Sequence, residues 1–423
     1  MHRYTLILFS ALFSALVLFA GFNALVDPFG ITGAPDIPGV TARETRTYED
    51  GGRVHVGDQL LRGGQTSILL GSSRVVDGFP HPPENWPGGL YNAGMRGTNM
   101  YELTRAMVLA ARDPALKCVV VGLDPDEFGT HGKAKATYWL SALVDGHRDL
   151  ALARVSLSPS TFGASLQTLA DNLGGGSARR PWQDLYEPGV QQGRFESGTR
   201  GIYGYYQSYQ YDTERVAFFE AAIEALTQDG VQVIGFIHPI HAWRENVIFR
   251  ADRQDDYFQL RRDLANVFAR HAQAEPAQGC VEGGAAVLFD FSGFQSPATV
   301  ASPGQPGRVL HPTFYEPSHY LPHIGQAMVD VMVGGTPSLE VEDRSNFGHR
   351  LTPQTVDESE AAILDRRAVW LATPNGVEAD AFVDAVIESG LPAERTAPQF
   401  LNDEDWRELR SELSRIAPAS DRR

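Results

Sequence analysis

Two stretches far apart in this sequence hold residue types that can form a proton-passing line. The first is Gly71-Ser72-Ser73-Arg74, directly after the apolar run Ile68-Leu69-Leu70; the second is Glu316-Pro317-Ser318-His319. A serine hydroxyl is a poor nucleophile at neutral pH until a base takes its proton, and that base needs an orienting group. A carboxylate three residues before a histidine suits one short turn. Glu316 can then hold one ring nitrogen of His319 and leave the other for a serine of the Ser72-Ser73 pair. The chemistry on offer is nucleophilic attack on an acyl group. Plainer alternatives stand beside it: a loop serine capping a helix, and a surface His–Glu pair.

Other polar residues fall near the same strand ends. Arg74 could bind an acidic sugar or pair with Asp77 or Asp124. His238 and His241 follow the strand Val231–Ile237, and one of them could contact a substrate. As a metal pair they lack a matching carboxylate set close by. Asp290 could cap a helix or support His319.

These residues need a scaffold that brings remote loops to one rim. Ser67–Leu70, Lys117–Gly122, Val231–Ile237 and Ala286–Phe291 read as buried strands. Helical spacing recurs at Asn99–Ala111, with Thr98 or Asn99 as cap, at Glu214–Asp229, at Asp256–Ala272 and at Ile324–Met332. This βαβ rhythm predicts a mainly parallel sheet with sites at the carboxyl ends of its strands. Residues near 130–210 interrupt the rhythm and read as an insertion, a candidate lid. Gly174-Gly175-Gly176-Ser177 forms a flexible break within it. Tyr203, Tyr205, Tyr206, Tyr209 and Tyr211 could stack on sugars or pack as an aromatic edge. From 336 to 423 charged residues rise and helical spacing dominates. That stretch reads as a helical appendage with a frayed end after Ala417.

Residues Tyr4–Val26 are apolar and uncharged throughout, longer than the roughly 18–20 residues that cross a bilayer. Arg3 precedes them, which favours an amino terminus in the cytoplasm. An uncleaved anchor is expected, with a cleaved signal peptide as the competitor. Asp27 to about Gln59 is rich in Pro and Gly, and residues 31–63 read as a linker and entry segment. The net charge of −16 argues against nucleic acid and anionic lipid surfaces. Of the two cysteines, Cys118 lies in the run Cys118-Val119-Val120-Val121 and reads as a buried small hydrophobe rather than half of a bridge.

The set resembles the SGNH (GDSL-type) hydrolase superfamily. Gly71-Ser72-Ser73 aligns with that family's Gly-Asp-Ser block, which places the nucleophile on Ser73. Tyr91-Asn92-Ala93-Gly94 resembles the second block, whose glycine N–H enters the oxyanion hole. Glu316-Pro317-Ser318-His319 stands for Asp-x-x-His. Gly122-Leu123-Asp124-Pro125 departs from Gly-x-Asn-Asp, because an ionised Asp124 cannot donate to an oxyanion. The start Asn23-Ala24-Leu25-Val26-Asp27-Pro28-Phe29-Gly30 resembles anchored envelope members that acetylate exopolysaccharides such as alginate.

The resemblance implies a three-layer α/β/α sandwich over residues 64–335, the insertion excepted, between the anchor over 1–30 and the appendage over 336–423 read from composition. It implies an exported serine esterase or O-acyltransferase on the periplasmic side of the cytoplasmic membrane, acting on cell-envelope polysaccharide. A membrane-bound O-acyltransferase is a candidate partner, and no metal or organic cofactor is expected. Ser73, His319 and Glu316 are the implied catalytic residues, and the Ser73 and Gly94 N–H groups the implied oxyanion donors. Arg74, Asp124 and His241 are assigned to substrate. The opposing expectation is a non-catalytic glycan-binding or assembly subunit on the same fold.

Overall fold

The computed structural model describes residues 2–41, 48–80, 82–130, 136–174, 188–273, 276, 278–300, 313–339, 347–390 and 411. The expected Gly-rich break beyond Gly174 and the end after Ala417 lie outside the described residues. Helix α1 covers His2–Val26 and α2 covers Tyr48–Arg62. Next come β1 (Ser67–Leu70), α3 (Ser73–Gly78), β2 (Tyr91–Asn92), α4 (Met100–Ala110) and β3 (Cys118–Leu123). Helices α5 (Arg148–Leu157), α6 (Pro159–Leu173), α7 (Pro188–Ser208) and α8 (Thr213–Gln228) lead to β4 (Gln232–Ile237). After α9 (Ala242–Arg250), α10 (Gln254–His271) and β5 (Ala286–Asp290) comes a hairpin of β6 (Phe314–Glu316) and β7 (His319–Tyr320). The described chain then runs through α11 (Pro322–Met332), β8 (His349–Arg350), α12 (Val356–Leu371) and α13 (Pro374–Glu388).

The chain forms two compact units. One comprises residues 1–63 and 135–181, the other residues 64–134 and 182–423. In the first, α1 is a single apolar helix long enough to cross a membrane, and it could serve as an anchor or a signal sequence. Its last turns pack on α5 and α6. Asn23 is buried, donating to the Ser156 carbonyl at 2.9 Å and accepting from the Ser165 hydroxyl at 3.2 Å. Residues 31–63 are more than the linker expected, since they contain α2. Arg62 and Arg148 converge on Asp58 at 2.6 and 2.7 Å, and both also reach the Ile31 carbonyl. Phe29, Ile31, Val54 and Val155 form a small core beneath them. The described residues of 135–181 therefore cluster with the amino-terminal segment, while the rest of the expected insertion, 182–210, clusters with the sheet.

The second unit is mixed α/β around a six-stranded sheet in the order β2-β1-β3-β4-β5-β8. The first five strands are parallel, and β8 joins β5 antiparallel. The central strands are buried along their whole length, as the unbroken apolar runs Cys118–Val121 and Val233–Ile234 require of a sheet covered on both faces. Leu69, Val120, Ile234 and Val287 lie in register across four strands.

The cysteines correct the sequence reading. Cys118 and Cys280 are joined, closing a loop of 162 residues between β3 and the segment before β5. Their separation in sequence hid a pairing that the parallel sheet creates. The reading of residues 336–423 as an appendage also changes, because β8 extends the sheet and α12 is bonded into its end. The Arg261 guanidinium, fully buried on α10, donates to Asp290 at 2.6 Å and to Ser359 of α12 at 2.8 Å. Asp290 also accepts from the Ser292 N–H and hydroxyl, so it neither caps a helix nor supports His319. Trp243 of α9 donates to Asn375 of α13 at 3.1 Å.

Two stability predictions follow from these links. Reducing Cys118–Cys280, or replacing both by Ala, should lower unfolding stability by about 2–4 kcal/mol in chemical denaturation. Burial alone would raise the Asp290 pKa, but Arg261, His349 and Ser292 outweigh it and hold the carboxyl at about 2. Because the folded pKa is depressed, this contribution is present above the ordinary value of 3.8 and is lost as pH falls toward 2. Arg261→Met should cost about 3–5 kcal/mol by leaving Asp290 charged and unpaired. Adding Asp290→Asn should recover part of that loss and flatten the acid limb of the stability curve.

Candidate active site

The site is built at the carboxyl ends of β1 and β3 and on the β6–β7 hairpin, all in the second unit. Strand β1 ends at Gly71, whose φ of +151° no ordinary side chain adopts easily. A Cβ there would also lie 2.6 Å from the Val75 side chain. Glycine thus permits the turn that starts α3 at Ser73. The two serines take different roles. Ser72 is buried, accepts from the Arg74 N–H as the cap of α3, and donates to Asp124. Ser73 is partly exposed and reaches His319.

The separation between Ser73 Oγ and His319 Nε2 is 2.6 Å. His319 Nδ1 is hydrogen-bonded to Glu316 Oε1. Burial alone would raise the Glu316 pKa, but His319, Arg244 and Arg74 together lower it, so this carboxylate is ionised at neutral pH. An ionised carboxylate only accepts, so Nδ1 carries the ring proton and Nε2 is left to accept from Ser73. The imidazole lies flat on Tyr315, with ring centroids 5.3 Å apart and planes 13° from parallel. Tyr315 in turn donates to Asp77 at 3.0 Å, and Asp77 is paired with Arg96. Ring position and tautomer are thereby fixed from three sides.

The residues assigned to substrate are placed elsewhere. Arg74 is buried; it pairs with Asp124 and its Nε donates to the Ser318 carbonyl at 2.8 Å. Asp124 is buried too. Desolvation would raise its pKa, yet Arg74, His238, Ser72 and Arg244 hold it below the ordinary carboxylate range. It is therefore the counter-ion of Arg74 rather than an oxyanion donor or a substrate contact. His241 is fully buried and caps α9, with Nε2 at 2.9 Å from the Val300 carbonyl. Burial pushes its pKa down to about 4, so it is neutral at pH 7. His238 is likewise buried, with Nδ1 2.9 Å from the Tyr320 hydroxyl. None of these four side chains is open to a ligand.

Several residues that sequence reasoning passed over complete the support. Arg244, three residues beyond His241 and on α9, donates to the Ser318 hydroxyl at 2.6 Å and pairs with Asp126. The His241 N–H holds the Pro317 carbonyl at 3.0 Å. The Glu316–His319 turn is thus gripped at successive residues. Helix α7 closes over it: a Cβ on Gly198 would stand 3.3 Å from Glu316 Oε2, and Gln191 donates to the Phe314 carbonyl at 3.0 Å. The tyrosines around α7 pack as an aromatic edge. Tyr206 donates to Asp126 at 2.7 Å, Tyr209 to the Pro125 carbonyl at 2.9 Å and Tyr205 to the Asp126 carbonyl at 3.1 Å. Asp126 lies just past the end of β3, whereas Arg244 sits on α9, and nothing in the sequence pairs them.

Gly94 crosses the start of α3, where a Cβ would lie 2.8 Å from Val75 and 2.9 Å from the Val76 nitrogen. Its N–H donates to the Asn92 side-chain oxygen at 3.0 Å. Ser73, at the first position of α3, has an N–H with no acceptor within its own helix. No protein-family model matches the chain, and no curated protein matches it. What the site can do chemically follows from its atoms: a hydroxyl, an imidazole and a carboxylate in line, next to a helix start.

The Arg74 grip on Ser318 predicts a positional effect. Arg74→Lys keeps a cation for Asp124 but cannot span both partners. Labelling of Ser73 by a fluorophosphonate, followed by mass spectrometry, should slow by about 10- to 100-fold. The variant should stay folded by circular dichroism.

Proposed function

We propose that this protein is an exported serine esterase or O-acyltransferase that works through an acyl-serine on cell-envelope polysaccharide. The observation that carries the reading is the 2.6 Å contact of Ser73 Oγ with His319 Nε2, backed by ionised Glu316. In the proposed cycle the Ser73 oxygen attacks an acyl carbonyl as its proton passes to Nε2. The imidazolium, stabilised by Glu316, gives that proton to the leaving alcohol. Water or a sugar hydroxyl then attacks the acyl-serine, loses its proton to His319, and Ser73 recovers its own. The Ser73 N–H and the Gly94 N–H are the proposed oxyanion donors, the latter once it leaves Asn92.

The SGNH-like assignment, with its three-layer α/β/α sandwich, is supported by the parallel order β2-β1-β3-β4-β5 and by the strand-end placement of Ser73. Export is supported by the apolar α1 and by the Cys118–Cys280 bridge, since disulfides persist in oxidising compartments. We place the second unit on the periplasmic side of a cytoplasmic membrane, held by α1. The polysaccharide substrate and a membrane-bound O-acyltransferase partner rest on the sequence resemblance. One observation favours a second reading, a non-catalytic glycan-binding or assembly subunit: the Gly94 N–H is already occupied by Asn92.

The two readings separate with the full chain in detergent and a chromogenic acetyl ester. The enzymatic reading expects a burst and an acetyl adduct on Ser73. Ser73→Ala should abolish the adduct and cut turnover by about 10⁴-fold or more, while Ser72→Ala keeps the adduct on Ser73. A folded protein that gives neither burst nor adduct, yet binds acetylated polysaccharide, belongs to the second reading.

A further inference from the structure

Helix α6 is ordered inside out. Thr161, Ser165 and Thr168 recur at i, i+4 and i+7, and all three are fully buried within the amino-terminal unit. Phe162, Leu166, Leu169 and Leu173 share the neighbouring stripe, and Leu166 and Leu173 face outward. On α5, Leu150 and Leu157 are exposed at i and i+7, over buried Ala151 and Val155. The four outward leucines are between 46% and 80% exposed. A helix on a water-soluble body turns its leucines inward and its hydroxyls outward. Small and hydroxyl residues at the helix contact, with large apolar residues outside, is the order found where hydrocarbon is the solvent.

The inverted helix is joined to the apolar helix α1. Phe162 lies on Phe19 and Phe22 of α1, with ring centroids 5.2 and 5.3 Å apart, and Ser165 bonds to Asn23. Phe19 stands seven residues before the end of α1 at Val26, about 10 Å along its axis at ~1.5 Å per residue. Helix α6 therefore meets α1 at the depth where amphipathic helices lie in a bilayer, roughly 5–10 Å below the surface. The polar stripe of α6, with Gln167 donating to Asp171 at 2.7 Å, supplies the side that would face headgroups and water.

We propose that the leucine faces of α5 and α6 lie in the lipid interface beside α1, so that the first unit sits on the membrane as a platform instead of hanging from a single helix. This rests on the reading of α1 as an uncleaved membrane anchor. The occupant is a lipid bilayer. Leu16, Val17, Leu18 and Leu25 of α1 are exposed on the helix whose Phe19 and Phe22 pack on Phe162 of α6, and the chain's charge of −16 gives no attraction to an anionic surface in its place.

Both native cysteines are paired, so single-cysteine labels can be placed cleanly on the full chain. A fluorophore would be attached at Leu166→Cys, Leu173→Cys, Leu12→Cys or Gln167→Cys, and each protein reconstituted in phosphatidylcholine vesicles. Quenching by brominated lipid and by aqueous iodide is then read for each label. The platform predicts lipid quenching and loss of iodide quenching at Leu166 and Leu173, with iodide quenching retained at Gln167. Lipid quenching at Leu12 together with full iodide quenching at Leu166 and Leu173 would leave the anchor intact and overturn the platform. Iodide access at Leu12 would remove the anchor, and the platform with it. Leucine labels shielded in native membranes but open to iodide in the vesicles would assign the face to a membrane protein and reject lipid as its occupant.

Discussion

The placement of Ser73 depends on the guanidinium that follows it in sequence. Arg74 is buried, with one end on Asp124 at the close of β3 and the other on the Ser318 carbonyl of the β6–β7 turn. A single side chain therefore ties the Ser73 turn to the sheet and to the hairpin that carries both Glu316 and His319. A buried ion pair gives little net stability over apolar packing, because two charges must leave water. What it supplies is register. The planar fork donates in fixed directions, so Ser318 can satisfy it in one position only. Arg244 repeats the device from α9, with Asp126 as its counter-ion.

This arrangement explains which parts of the site could be read from the sequence. The convergence of Ser73, Glu316 and His319 was legible because loops that meet at one rim of a parallel sheet follow its strand ends, and strand ends are marked by apolar runs that stop at Gly71 or pass into polar turns. Arg74, Asp124 and His241 were misassigned for the same reason. A charged residue at a strand end looks like a substrate contact whether its partner is a ligand or another buried side chain. Only coordinates show that Arg74 and Asp124 neutralise each other. The parallel sheet and its main helices followed from periodicity. The Cys118–Cys280 bridge, the antiparallel β8 and the union of residues 135–181 with the first 63 depend on long-range contacts that periodicity does not encode.

The ionised Asp124 bears on how a tetrahedral intermediate would be accommodated. Its charge is spent on Arg74 and Ser72, so it neither donates to an oxyanion nor stands unscreened beside one. The remaining donors are backbone groups. The Gly94 N–H rests on the Asn92 amide oxygen, a neutral acceptor. A developing alkoxide is a charged acceptor, and hydrogen bonds to such groups are roughly twice as strong. Exchange of Asn92 for the oxyanion is therefore favoured as charge appears, while Asn92 stays tethered through its side-chain amide nitrogen, which donates to the Val75 carbonyl at 2.9 Å. The occupied donor is compatible with catalysis in a way that a missing donor would not be.

The two units obey opposite orderings of the same residue types. In the second, helix α11 turns Ile324, Ala327 and Met328 into the core, and α4 buries its whole length, with Glu102 accepting from the Thr98 hydroxyl and donating its N–H to the Asn99 side-chain oxygen. In the first, α6 buries Thr161, Ser165 and Thr168 and leaves Leu166 and Leu173 outside. Hydrophobicity alone cannot produce both in one solvent, because burying a methylene in preference to a hydroxyl is favoured by about 0.8 kcal/mol per CH₂ wherever water is the alternative. The reversal is physically consistent if water is not the alternative for α6, and the apolar surface of α1 against which it packs supplies that condition within the same unit.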